Sequence, residues 1–402
     1  MTTTAQKLWS GQYFRGFTAA LGIHLVFVIL MAYMAIYAVQ HFQVGSTAAG
    51  FAASSFVLGA SVARLLVSKY IDFVGRRKTL LISLVVFILC SAAYPFVEWF
   101  GLLLVLRMLH GAAFGVASTA LTTGVIEMIP LGRLSEGLGY FSLSGTIAHT
   151  IGPLLAIQLS VRASSLWVFS VATFCALIAL FVALKLPLTE RPPTFQERRR
   201  WKTLSFHEML DSKVLPVVVV VLISSLSYSV IITYLPPYLV GLQLADVASI
   251  FFSVWAVSTL IVRVIAGRIQ DRYGENAVVP AALCLMATGI GLLAVGESFW
   301  SFMIAAVVGG LGHGAVAPSL QAVGIKRTTP DRLATATSTH YLGLDAGLAI
   351  GPLLLGFLIG LAGYTGLYLV AAAILLLNLI VYWGVHGRGV GRQIPNERPT
   401  EF

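Results

Sequence analysis

The chain has 402 residues, of which 58% are hydrophobic and only 10% are charged. Soluble globular proteins carry about 25% charged residues, so the composition excludes an ordinary soluble protein of this length. A net charge of +10 would suggest a nucleic-acid partner for a soluble chain, but the solvent that this composition favours is a lipid bilayer.

A bilayer-spanning helix needs about 20 mainly apolar residues, and twelve such runs follow one another along the chain. They lie near residues 16–38, 46–68, 79–97, 102–127, 138–160, 164–186, 214–240, 246–267, 277–296, 300–325, 335–360 and 364–385. We expect no cleavable signal peptide, because the first run is too long for one and no small-residue cleavage site follows it. The sequence therefore predicts an all-α membrane protein with twelve transmembrane helices.

The distribution of positive charge predicts the orientation. Of the 26 Lys and Arg residues, all but Arg64, Arg107, Arg162 and Arg263 lie in connectors or termini on one side. By the positive-inside rule, both termini are cytoplasmic and the chain crosses the cell inner membrane several times. This bias explains the net charge, so we expect no nucleic-acid partner.

The sequence offers little for a metal or a cofactor. Cys90, Cys175 and Cys284 each lie in a different predicted span and have no neighbour at metal-ligand spacing. The histidines within the spans form no pair four residues apart, the helical spacing that a zinc site would favour. No catalytic or nucleotide-binding motif is present, so we expect no metal, no cofactor and no enzymatic activity.

The chain is an internal duplication. The longest polar stretch divides it into a first half (1–186), a cytoplasmic linker (187–213) and a second half (214–402), each half with six spans. Shifting the chain by 199 residues aligns Arg64 with Arg263, Lys69 with Arg268, Asp72 with Asp271, Gly75 with Gly274, Gly111 with Gly310, Gly115 with Gly314, Arg133 with Arg332, and Gly152-Pro153 with Gly351-Pro352. A single offset over so many pairs predicts two parallel six-helix pseudo-repeats.

Charge also separates the spans into two classes. Apart from Lys185 at the end of the sixth, the third, sixth, ninth and twelfth contain no charged side chain, whereas the other eight contain His24, Arg64, Arg107, His110, Glu127, His149, Arg263, His313, His340 and Asp345. An ionisable side chain in lipid costs about 2.5–3.5 kcal/mol on insertion scales. We therefore expect the four uncharged spans at the periphery and the rest around a solute path.

Histidine and tyrosine side chains are the predicted lining of that path. The candidates are His24, Tyr33, Tyr37, His110, His149, Tyr228, Tyr234 and His313. Pro236 and Pro237 are expected to break the seventh span near its outer end and to form a gate.

The connector after the second span reads Ser68-Lys-Tyr-Ile-Asp-Phe-Val-Gly-Arg-Arg-Lys, and its copy reads Gly267-Arg-Ile-Gln-Asp-Arg-Tyr-Gly. Both resemble the signature G-x-x-x-D-x-x-G-R-[RK]-[RK] of the major facilitator superfamily, with Ser68 in place of the first glycine. A carboxylate there can pair with arginine and accept N–H bonds at a helix N-terminus. We predict a conformational latch of Asp72, Gly75, Arg76, Asp271, Gly274, Arg64 and Arg263.

Two further motifs carry the same resemblance. Arg107-Met-Leu-His-Gly111 is similar to the family's R-x-x-x-G motif, which implies that Arg107 takes part in proton coupling. Gly152-Pro153 and Gly351-Pro352 resemble the glycine-proline motif of antiporter-type exporters, although Ala148 and Ala156 replace two of its glycines in the first copy. Small residues at this spacing let helices approach closely, and proline bends a helix.

Asp345 is the only carboxylate predicted deep in the membrane, about ten residues into the eleventh span. A buried carboxylate that can gain and lose a proton suits a proton carrier, and we predict that role for Asp345 with Arg107 as its coupling partner. A static ion pair that closes the helix bundle is the alternative.

The resemblance covers essentially the whole chain. It implies a monomeric exporter of drugs or metabolites, of the kind associated with drug resistance. Such an exporter works by alternating access and proton antiport. The first span has no carboxylate, so we expect zwitterionic, anionic or neutral solutes rather than lipophilic cations. An uptake symporter, or an exporter dedicated to a metallophore or a sugar, is an alternative within transport. A membrane receptor or scaffold is the alternative outside it.

Overall fold

A computed structural model describes residues 8–68, 70–162, 164–190 and 206–388. In those ranges no strand is present and twelve helices have 18 or more residues. They are α1 (Gly11–Phe42), α2 (Ser46–Val67), α3 (Arg76–Ala93), α4 (Phe100–Met128), α5 (Leu134–Arg162), α6 (Ser165–Ala183), α7 (Leu215–Gly241), α8 (Ala245–Tyr273), α9 (Glu275–Val295), α10 (Phe299–Arg327), α11 (Leu333–Leu355) and α12 (Leu358–Tyr382).

Ten of these helices are long and apolar enough to cross a membrane. The other two are α5 and α11, which occupy equivalent places in the two repeats and carry the glycine-proline motifs and several Ser and Thr residues. The twelve predicted helices and the all-α class are confirmed. The boundary predicted between residues 360 and 364 coincides with a break at Gly363, whose φ of +64° interrupts the helical run Leu358–Tyr382.

The predicted break in the seventh span is wrong. Helix α7 continues through Pro236 and Pro237 to Gly241. Proline removes one helical hydrogen bond and crowds the preceding turn, but these two lie near the helix end, and the neighbouring side chains of Leu235 and Leu239 are fully buried. The packing of Leu235 and Leu239 offsets the free-energy cost of the lost hydrogen bonds.

The duplication is visible in the packing of glycines against a neighbouring helix. In the first repeat, a Cβ on Gly111 would overlap the carbonyl of Phe56, and one on Gly115 would lie 2.5 Å from the carbonyl oxygen of Ala60. In the second repeat, a Cβ on Gly310 would lie 2.7 Å from the carbonyl oxygen of Trp255. Phe56 and Trp255 are themselves 199 positions apart, so α2 with α4 and α8 with α10 pack in the same register.

Two further glycines occupy equivalent turns. Gly75 has φ +95° and precedes α3, and Gly274 has φ +84° and precedes α9. Only glycine enters this region of φ without strain. Gly75 joins a short helical turn (Ile71–Val74) directly to α3, and Gly274 joins α8 directly to α9.

The chain groups into two compact units. One contains Met1–Ser212 and Ile325–Asp345, and the other contains Lys213–Gly324 and Ala346–Phe402. The segment 325–345, which ends α10 and begins α11, thus belongs with the unit that contains α1 to α6. Its side-chain contacts in that unit define the candidate site.

Candidate functional site

Asp345 forms an ion pair with Arg64. The Arg64 side chain is 4% exposed and that of Asp345 is 18% exposed. Ser61 donates a hydrogen bond to the same carboxylate at 3.3 Å, and Arg64 Nη2 donates to Ser118 Oγ at 3.2 Å. The buried charge of Arg64 and the half-buried charge of Asp345 are therefore compensated by each other and by two hydroxyl groups from α2 and α4.

Aromatic rings and backbone contacts surround the Arg64 end of the pair. Its guanidinium carbon lies 4.9 Å from the ring centre of Tyr341 and 5.4 Å from that of Phe114. The hydroxyl groups of Tyr341 and Thr122 form a hydrogen bond of 3.0 Å, and Ser338 donates a hydrogen bond to the backbone carbonyl of Arg64 at 2.8 Å. The beginning of α11 is thus docked on α2 and α4 around a single ion pair.

Arg107 occupies a different environment. It is fully buried, and it donates from Nε to the carbonyl of Ala52 and from Nη2 to that of Ala53, both at 3.0 Å. Its guanidinium carbon lies 4.7 Å from the ring centre of Phe56. Among the described residues no carboxylate lies within ion-pair distance of Arg107, and the ion-pair partner of Asp345 is Arg64. Coupling between Arg107 and Asp345 stays a prediction.

Phenylalanine rings lie between the two arginines, and the sequence analysis did not single them out. Phe56, under Arg107, and Phe114, beside Arg64, have ring centres 5.3 Å apart. Phe27 stacks on both, at 5.3 Å and 5.0 Å. An alignment of Phe56 with Trp255 and of Phe114 with His313 across the repeat would have pointed to these positions, because the pairs are aromatic in both halves.

The predicted latch is only partly within the described residues, since the side chain of Asp72 lies outside them. Arg76 forms an ion pair with Glu127 at the end of α4. The carboxylate of Glu190, in the linker, accepts hydrogen bonds from the backbone N–H groups of Arg76 at 2.9 Å and Arg77 at 3.0 Å. An acidic side chain therefore caps the N-terminus of α3, the interaction expected of Asp72, and it comes from the segment after α6.

The second copy of the latch is less closely defined. Arg263 and Asp271 lie half-buried in α8, which ends before Gly274. In the first turn of α9, Glu275 pairs with His386 at 3.1 Å. Glu275 is the repeat equivalent of Arg76, so the two copies carry opposite charges at this position.

Three of the predicted path-lining residues of the first half belong to helix packing in this conformation. Tyr33 is 2% exposed and donates to Ser165 Oγ at 2.6 Å, and Tyr37 is 3% exposed. His110 is fully buried, and its Nδ1 lies 2.9 Å from the hydroxyl of Tyr94. All three side chains are buried between helices here, and their role in lining the solute path stays a prediction.

The other predicted residues are more open. His24 is half-buried, with Nδ1 3.5 Å from Ser144 Oγ, and His149 is exposed. In the second unit the rings of Tyr228 and His313 stack with centres 3.8 Å apart. Tyr234 donates to the carbonyl of Pro352 at 2.9 Å, so its hydroxyl serves the contact between α7 and α11.

The glycine-proline motifs lie where helices approach closely. A Cβ on Gly152 would lie 2.9 Å from Val28 Cβ of α1, and one on Gly351 would lie 2.6 Å from the carbonyl oxygen of Leu226 of α7. Pro153 and Pro352 lie inside α5 and α11. No group of three or more potential metal ligands occurs in the described part of the chain.

The chain matches a known protein-family model over most of its length. Its sequence matches the family model described as Major Facilitator Superfamily over residues 16–279 and 245–401. The chain belongs to this superfamily. It is therefore a multi-pass membrane transporter, with the fold that the motifs implied.

Relatives and solved structures agree with this assignment. The chain is 24% identical to the staphylopine export protein of Staphylococcus aureus, over 84% of this chain and 86% of that protein. It is 22% identical to multidrug resistance protein 1 of Bacillus subtilis, over 85% and 87% of the two chains. The crystal structure of the human organic anion transporter MFSD10 (TETRAN) superposes with a TM-score of 0.75 at 18% identity, covering 92% of this chain and 98% of that one, which shows a shared fold.

Proposed function

We propose that this transporter exports a small organic solute across the cell inner membrane in exchange for protons. The two repeats, 1–186 and 214–402, would alternate in access around a central path, linked by 187–213, in a monomer with both termini cytoplasmic. The names of both sequence relatives, one an export protein and one a multidrug resistance protein, support export over uptake.

The largely buried pair of Arg64 and Asp345 carries the proposal. Protonation of Asp345 removes its charge and leaves Arg64 as a buried cation without its counter-ion. Losing one partner of a buried ion pair costs about 3–5 kcal/mol. The docked arrangement of residues 333–345 therefore needs an ionised Asp345, and proton uptake favours any arrangement in which Arg64 reaches water or another anion.

The surroundings of Arg64 make this change reversible. The hydroxyl of Ser118 and the rings of Phe114 and Tyr341 keep contact with the guanidinium when Asp345 is neutral. A cation–π contact contributes about 0.5–2 kcal/mol, less than the lost ion pair. In the docked arrangement, the protonated form of Asp345 is thus less stable than the ionised form, but it can still be populated. A proton carrier requires both properties.

Arg107 is proposed as a second coupling group. It is a buried cation held by the carbonyls of Ala52 and Ala53, the Met31 sulfur and the Phe56 ring. Its repeat position is Ala306, so the helix packing does not require a charge there. A cavity with this cation, several histidines and no carboxylate in α1 favours zwitterionic, anionic or neutral solutes.

Counterflow of a compound panel in proteoliposomes, with and without a pH gradient, tests the proposal. A substrate should accumulate uphill when its movement is opposed to that of protons, and ethidium, a lipophilic cation, should be transported poorly. Solute movement in the same direction as protons would contradict antiport and support an uptake symporter. Robust ethidium transport driven by the gradient would contradict only the expectation on solute charge.

A further inference from the structure

Asp211 is a buried carboxylate that the sequence analysis did not identify. It lies near the end of the linker (187–213), before α7, and its side chain is only 2% exposed. Its carboxylate accepts a hydrogen bond from Thr328 and lies 3.6 Å from Arg332 Nε. Its backbone N–H donates to Thr339 Oγ1 at 3.0 Å. We call Asp211, Thr328, Arg332 and Thr339 the Asp211 cluster.

The same stretch is also tied to α2. Arg332 Nη2 donates to the carbonyl of Leu210 at 2.8 Å, and Ser68 Oγ donates to the carbonyl of Met209 at 3.0 Å. Residues 209–211 thus bond on one side to the end of α2 and on the other to the beginning of α11. Ser68 is the position at which the chain departs from the glycine of the family signature, and its hydroxyl makes this bond.

The duplication shows that the cluster is specific to the second repeat. In the first repeat Arg133, the equivalent of Arg332, pairs with Glu136 three residues later at 2.6 Å. The residue equivalent to Glu136 is Thr335. Arg332 therefore has no acid three residues later, and it pairs with Asp211 instead. Thr328 and Thr339 align with Ile129 and Tyr140, neither of which offers an aliphatic hydroxyl.

A packing role alone does not require this asymmetry, because the first repeat forms the same turn with a local ion pair. We propose that Asp211 is a positioning residue for transport: it holds residues 325–345 on α2 and thereby sets how often the pair of Arg64 and Asp345 opens. Its consequence for solute movement rests on the proposed function, but its effect on the docking of this segment does not.

Cysteine accessibility measures the docking without solute or proton gradient. Ser338 is fully buried in the docked segment, so a Ser338→Cys reporter reacts with a maleimide only when the segment leaves α2. The full chain, with its three native cysteines replaced by alanine, would be labelled in lipid nanodiscs. Ser91→Cys, equally buried but in α3, reports general loosening in a parallel protein.

Asp211→Asn should raise the labelling rate of the Ser338→Cys reporter about tenfold, since hydrogen bonds to a charged group are among the stronger ones. Ser68→Gly, which restores the family glycine, should raise it about threefold through loss of a neutral hydrogen bond. The exposed acid Asp246 provides the matched control, and Asp246→Asn should leave the rate unchanged.

An unchanged rate in Asp211→Asn would overturn the proposal. An equal rise at the Ser91→Cys reporter would also overturn it, because the effect would then be a loss of stability throughout the protein. If Asp211→Asn cannot be purified, Thr328→Val and Arg332→Gln remove the partners one at a time, and each should raise labelling at the Ser338→Cys reporter alone.

Discussion

The ion pair of Arg64 and Asp345 makes a quantitative prediction through a double-mutant cycle. In Asp345→Asn the buried guanidinium of Arg64 loses its counter-ion but keeps Ser118, Phe114 and Tyr341. The loss of a buried partner costs about 3 kcal/mol at the lower end of the usual range, a suitable choice because the Asp345 side chain is 18% exposed. The retained cation–π contacts offset about 1 kcal/mol.

The remaining destabilisation of the docked arrangement is about 2 kcal/mol, which corresponds to a roughly 30-fold rise in the open population. Labelling of the Ser338→Cys reporter should increase by that factor in Asp345→Asn. The double variant Arg64→Gln/Asp345→Asn removes both charges of the pair and places two amide side chains in contact, so it should label only about fivefold faster than the parent.

The double variant should therefore be less accessible than Asp345→Asn alone. If the effects of the two single substitutions simply multiply in the double variant, the residues are not energetically coupled and the reasoning is refuted. A labelling rate in Asp345→Asn equal to that of the parent would refute it as well.

Two other predictions concern the motifs. Asp72→Asn should abolish or strongly slow transport at matched expression while the protein still folds, and Asp271→Asn should be milder because its copy lacks the basic run; wild-type rates for Asp72→Asn would contradict the latch. Gly111→Ala should lower the thermal unfolding temperature, since overpacking typically costs about 1–3 kcal/mol, whereas Gly145→Ala, with no atom within 4 Å of the added carbon, should not. Equal melting of both alanine variants would contradict the close approach of α2 and α4.

The fold could be predicted because its signals are long. Runs of about twenty apolar residues and a repeat offset of 199 positions leave few alternatives for twelve helices in two copies. Local departures from these regular patterns were harder to predict. Pro236 and Pro237 lie within α7 because their neighbours are buried, which local helix propensity does not consider.

The site was predictable only in its parts. Arg64 and Asp345 were both identified as unusual intramembrane charges, but they are 281 residues apart in the chain, and no local pattern states that they meet. Glu190 and Asp211 lie in or beside a linker whose polarity looks like that of any solvated connector. Their roles depend on which backbone N–H groups and hydroxyls the folded chain brings near them, which is tertiary information.

Proton flux in proteoliposomes, recorded when the solute identified by counterflow is added, tests the central claim most directly. In the wild-type protein the solute should drive proton movement in the opposite direction. Asp345→Asn should lose this proton flux and all uphill export, yet retain downhill exchange of solute, because the amide mimics the protonated carboxyl group. Wild-type proton flux in Asp345→Asn would contradict the assignment of Asp345 as proton carrier and would transfer the role to histidines, with His24 and His149 the next to be substituted.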